Sequence, residues 1–134
     1  MVWFVDSDIR VRSGTLRHLQ LGILLGAEIV TVPYGMRWNN NEPVLGYLDP
    51  GSQGARAARP PSFSLVPYHT CLVTGMGCTA LSVRSARLPE SFHCIETDRW
   101  WGEDIGFCLA AHRKGCRTWA TNWAPRPLHH THGN

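Results

Sequence analysis

Three short groups of residues carry most of the polar chemistry of this 134-residue chain. Asp6-Ser7-Asp8 follow the apolar run "VWFV", Glu103 and Asp104 follow two tryptophans in "WWGED", and His129, His130 and His132 stand in "HHTH". Singly, each has a structural explanation. Asx side chains make turns, acids open helices, and histidines near a chain end are often solvated. Together they form a donor set. Alternate side chains of an extended strand share a side, so Asp6 and Asp8 are expected to point the same way. Two hard carboxylates there suit Mg²⁺ or Mn²⁺, and an imidazole completes a Mn²⁺ site. Such an ion would offset the repulsion between the carboxylates. The third acid, at a helix start, is then placed to act as general base toward a hydroxyl.

The elements that must position these groups are legible as apolar patterns. "VWFV" at 2–5 is β-branched and aromatic, a buried strand. Ser13 offers an N-cap, Leu16, Leu19 and Ile23 recur at helical spacing, and Gly26 stops the helix. "AEIVTVPY" at 27–34 is the next strand, so the order strand, helix, strand suggests an α/β unit. Residues 36–67 lack periodicity and form an irregular loop. "TCLVTGMGCTALSVRS" at 70–85 reads as a strand pair or a strand bent at Gly75 and Gly77, where a backbone comes close to something else. "GEDIGFCLAAHRKGC" at 102–116 is a helix, with acids in its first turn, Ile105, Cys108, Leu109 and His112 on one face, and Gly115 at its close. "TWATNW" is a last strand.

Composition narrows the class. With 43% hydrophobic and 17% charged residues, the chain fits one globular domain. Its net charge of +3 comes almost wholly from arginine, with no basic run interleaved with aromatics, so nucleic acid is not an expected partner. Five cysteines without a C-x-x-C pair argue for reduced thiols and against a zinc ribbon. Neither a signal peptide nor a membrane span is visible, and a cytoplasmic location is expected.

In combination these motifs resemble a GT-A glycosyltransferase of the family 2 type. The matching features are Asp-x-Asp after an apolar strand, "GMG" before a strand, "WWGEDIGFCLAAHRKGCRTW", and a terminal histidine. The stretch from "GED" through "RKGCRTW" is the most specific, being similar to that family's acceptor-side helix. The resemblance implies a partial GT-A (Rossmann-like) α/β fold over 1–134, with a mixed, mostly parallel sheet flanked by helices and "VWFV" central in it. It also implies that the N-terminal nucleotide-binding half is missing, since Met1 stands five residues before Asp6. Self-association, or a partner supplying that half, is therefore expected.

The same resemblance assigns roles. Asp8 would ligate Mn²⁺ or Mg²⁺ on the diphosphate of a nucleotide-sugar donor, with His130 as the histidine ligand and His129 or His132 as substitutes. Asp6 would bind the donor. Asp104 would deprotonate a hydroxyl of a saccharide or other acceptor, giving inversion. Glu103, Trp100, Trp101 and Gly77 would line the acceptor side, the tryptophan rings by stacking on sugar faces, although core packing explains a tryptophan equally well. The competing readings are an inactive fragment, pseudoenzyme or binding module derived from such an enzyme, and a small Cys/His zinc protein.

Overall fold

A computed structural model describes residues 1–34, 45–48, 55–57, 66–88, 95–96 and 101–129; for 45–48, 55–57, 95–96, 101 and 129 it gives the backbone alone. Trp100, His130 and His132 lie outside the described residues. The strands are β1 (Val2–Val5), β2 (Ile9–Arg10), β3 (Ile29–Thr31), β4 (Leu45–Leu48), β5 (Ala55–Ala57), β6 (His69–Cys71), β7 (Val73–Thr74), β8 (Cys78–Leu81), β9 (Ile95–Glu96), β10 (Trp101–Gly102), β11 (Thr118–Ala120) and β12 (Leu128–His129). The helices are α1 (Thr15–Leu24), α2 (Val83–Ala86) and α3 (Glu103–Arg113). None of them is long and apolar enough to cross a membrane.

Five strands form the main sheet in the order β1-β8-β3-β11-β6. Side chains alternate across it, as the period of two requires. Trp3, Val30 and Ala80 face α1 with Leu19 and Ile23, while Phe4, Ile29 and Leu81 face α3 with Phe107, Cys108 and Ala111. The result is an α/β arrangement with one core on each side of a mixed sheet. Each large side chain so buried contributes about 1.5–3 kcal/mol.

The expectation of a mostly parallel sheet does not hold. Of the neighbouring pairs described, β3–β11 is parallel, while β1–β8, β8–β3 and β11–β6 are antiparallel. Crossover through α1 leaves β1 and β3 parallel but one strand apart, and β8 fills the gap in the opposite direction. Nor is β1 central: among the described residues it pairs with β8 alone, and its Val2 and Val5 are exposed.

Two helix details also differ from the sequence reading. Ser13 does not cap α1, whose N-cap is Gly14 with no side-chain cap hydrogen bond. On α3 the buried face is Gly106, Phe107, Cys108 and Ala111, with Ile105 and Leu109 at its margin, while His112 is exposed. Gly26 and Gly115, at φ +113° and +77°, end α1 and α3 as expected. Within 36–67, β4 and β5 pair antiparallel and β4 pairs with β7, so that stretch carries two short strands.

Candidate active site

Three connections meet at one end of the sheet. The first follows β1, where the chain turns at once: Ile9 N–H donates to Asp6 O at 3.0 Å. Asp6-Ser7-Asp8 thus occupy a closed turn rather than an extended strand, and strand alternation does not set their directions. Asp6 is exposed and Asp8 half-buried. The second is the Gly75–Gly77 turn between β7 and β8. The third is the start of α3, with Asp104 half-buried and Glu103 exposed in its first turn.

The glycine turn holds the other two. Asp6 N–H donates to Gly77 O at 3.1 Å, and Met76 N–H donates to Asp104 Oδ2 at 3.1 Å. A third contact comes from the end of the β3 segment: Gly77 N–H donates to Tyr34 Oη at 2.8 Å. Space explains the glycine. A Cβ on Gly77 would stand 2.6 Å from Tyr34 Oη and 2.9 Å from Asp6 Oδ2, so no side chain fits without displacing one of them.

Beneath the turn, three buried threonines fix its backbone. Thr74 and Thr79 hydroxyls both reach Thr31 Oγ1, at 3.0 and 2.9 Å, and both reach Gly75 O at 3.0 Å. Thr31 Oγ1 lies 3.3 Å from Cys78 O. The three hydroxyl protons are shared among these contacts, and the network ties β3, β7 and β8 to the turn through buried polar atoms that all have partners.

Burial raises the Asp104 proton affinity above the ordinary carboxylate value, opposed by the Met76 N–H bond and increased by the charges of Glu103 and Asp6. Burial likewise pushes the Tyr34 phenol upward, opposed by the Gly77 N–H and reinforced by Asp6 and Asp104, so it stays protonated. Asp6 and Asp104, nearly a hundred positions apart in sequence, therefore share one electrostatic environment around the glycine turn.

Of the residues singled out in the sequence, the fold brings Asp6, Gly77 and Asp104 together, with Asp8 in the same turn as Asp6 and Glu103 beside Asp104. Trp101 is placed by its backbone, opposite Glu96 in the β9–β10 pair. His129 is likewise placed opposite Ile9, as the β12 backbone pairs antiparallel with β2. Among the described residues no group of three or more His, Cys, Asp or Glu side chains is arranged to hold a metal ion. Tyr34 was missed by sequence reasoning. Its signal is modest: an aromatic with a polar tip ending an apolar strand just before a glycine, where a buried hydroxyl needs a partner.

Neither a family model nor a curated protein sequence matches the chain. Among solved structures, it is similar to A197 from STIV, with a TM-score of 0.58 and 16% sequence identity over 88% of this chain and 51% of that one. The chain thus spans about half the length of that neighbour. At this identity the likeness is one of fold.

Proposed function

We propose that this chain is the catalytic and acceptor-side part of a GT-A-type glycosyltransferase, acting on a nucleotide-sugar donor and an acceptor hydroxyl with inversion. The observation that carries the reading is the glycine turn that holds the Asp6 turn on one side and the Asp104 carboxyl on the other. Asp104 acts as general base. Its raised proton affinity suits it to take a proton from a hydroxyl near neutral pH. The Met76 N–H fixes Oδ2 and leaves Oδ1 to face the acceptor. Glu103, exposed in the same helical turn, binds the acceptor, and Asp6 contacts the donor.

Asp6 and Asp8 are hard oxygen donors in one turn, and Asp6 adds to the negative charge near Asp104, a chemistry that would suit Mn²⁺ or Mg²⁺. Asp8 and His130 would hold the ion, which when bound supplies charge neutralisation for a departing diphosphate. The direction of β12 supports the histidine: from Leu128 opposite Arg10 to His129 opposite Ile9, the strand runs toward the Asp6–Asp8 turn.

Calorimetry with MnCl₂, alone and with UDP or GDP, tests this. Wild-type protein is expected to bind Mn²⁺, Asp8→Ala to weaken it about tenfold or more, Asp6→Ala to weaken it less, and Asp104→Asn to leave it intact. Equal binding by wild type and Asp8→Ala removes the metal role.

A further inference from the structure

The end of the sheet opposite the acids is a surface of its own. Strand pairing sets Leu81, Ile29 and Thr118 in one row across β8, β3 and β11. Beyond that row lie the C-terminal end of α1, the start of α2, and the turn from α3 into β11. An eleven-residue helix is about 16 Å long, so α3 separates this end from Asp104.

Its charged side chains are nearly all of one sign. Arg84, Arg87, Arg113, Lys114 and Arg117 are exposed there, and among the described residues Glu28 is the acid they meet. Glu28 engages Arg84 at 3.3 Å and Arg117 at 3.6 Å, and Arg84 also donates to Lys114 O at 3.2 Å. These contacts join Arg84, Lys114 and Arg117 into one group, which Arg87 and Arg113 adjoin in sequence. The opposite end carries Asp6, Asp8, Glu103 and Asp104. The molecule is therefore electrically polarised along α3.

Apolar side chains stand beside these cations. Leu21, Leu24 and Leu25, in the last turn and C-cap of α1, are 44%, 83% and 57% exposed, and Val83, opening α2, is 50% exposed. A Cβ on Gly26 would lie 3.1 Å from Arg117 Nη2, so the leucine pair borders the basic group directly. One exposed leucine is ordinary. Several beside a basic group call for an occupant with both chemistries.

That combination selects the occupant. Nucleic acid would engage the cations and leave the leucines in water. A folded protein would need an apolar recess for the projecting Leu24 and acids around it. An anionic bilayer meets both demands, because its headgroups attract Arg and Lys while its acyl boundary takes up leucine. Guanidinium groups also match phosphate oxygens in a bidentate way.

We propose that this end docks on an anionic phospholipid surface, with Leu24 and Leu25 inserted and Arg84, Arg87, Arg113, Lys114 and Arg117 over the headgroups. The acids at the far end then face water. The proposal does not rest on the transferase reading.

The test is flotation of the full chain with vesicles of phosphatidylcholine, alone or mixed with phosphatidylglycerol, at low and high salt. Wild type is expected to float with the mixed vesicles at low salt and about tenfold less, or lower still, with phosphatidylcholine alone. Leu24→Ser combined with Leu25→Ser should lower partitioning about tenfold or more at unchanged charge. Arg113→Gln combined with Lys114→Gln should lower it roughly 10- to 30-fold, each charge near such a surface being worth about fivefold. Both double variants alter exposed side chains and should melt like wild type. Val5→Lys, at the far end of β1, should float like wild type. Failure of wild type to float with the mixed vesicles overturns the proposal, as does equal flotation with both compositions. Flotation that the leucine variant keeps in full would reduce the surface to a general polyanion attractor, which also overturns it. So would loss of flotation in Val5→Lys, which would assign binding to the β1 edge. A wild type that stays off vesicles yet forms dimers broken by the leucine variant would give the surface to a second copy instead.

Discussion

Glu28 and Asp104 are both acids drawn out of water, and their surroundings differ in kind. Glu28 lies at the start of β3 with Arg84 at 3.3 Å, Arg117 at 3.6 Å and the Arg117 N–H at 2.6 Å, so its charge is met on every side. Asp104 has one backbone N–H and two neighbouring acids that oppose its ionisation. The first arrangement surrounds its acid with partners; the second raises its acid's proton affinity. A consequence for stability follows from the direction of the shift. The folded protein holds the Asp104 proton more tightly than the unfolded chain does. That contribution is full below the ordinary carboxylate range and is lost as pH rises through the raised value. Asp104→Asn should therefore be more stable than wild type at neutral pH and equal to it in acid, as read by urea unfolding at several pH values. Under the proposed reading, the same substitution in a protein completed with a nucleotide-binding half should lose transfer by about 10²- to 10⁴-fold, because an amide cannot accept the proton.

At the scale of elements, α1 and β3 lie unusually close because of one residue. A Cβ on Gly22 would stand 2.8 Å from Val30 Cγ2 and 2.9 Å from the Tyr68 ring, whose hydroxyl donates to His18 O at 2.6 Å. Gly22→Ala should cost about 1–3 kcal/mol in chemical denaturation, because overpacking outweighs the helix propensity gained by alanine. Sequence patterns located α1, α3, β1, β3 and β11 because their apolar residues recur with a helical or strand period. The same patterns could not show that β8 inserts antiparallel between β1 and β3. That pairing depends on contacts about 50 positions apart with β3 and more than 70 apart with β1, which periodicity does not encode. The acid groups were legible by residue type, yet their geometry was not. The Asp6–Ile9 hydrogen bond replaces strand alternation with a turn, and the partners of Asp104 and Gly77 turn out to be a backbone N–H and a tyrosine.

For the whole molecule, the outer edge of the main sheet at β1 is one exposed apolar feature among the described residues. Val2 and Val5 are 43% and 42% accessible on opposite faces, beside backbone groups that β8 does not engage. An apolar edge of this kind templates pairing with a second strand. The 134-residue chain on its own is expected to self-associate in sedimentation, and Val5→Lys should shift it toward monomer by placing a charge on the edge. A monomer at all concentrations would show the edge to be protected.

The two-residue ladder between β2 and β12 has a kinetic meaning. Two paired residues on each side make a weak clasp, open far more often than β8, which is paired on both sides in the main sheet. Each opening would free the chain beside the Asp6–Asp8 turn, so the position of Asp8, half-buried there, fluctuates with the ladder. Hydrogen exchange can time that opening. Amides at 9–10 and 128–129 are expected to exchange orders of magnitude faster than those of Cys78–Leu81, and at rates matching each other. Mn²⁺ should slow both segments in step if the tail helps to hold the ion; slowing of 9–10 alone would leave the histidines out of it.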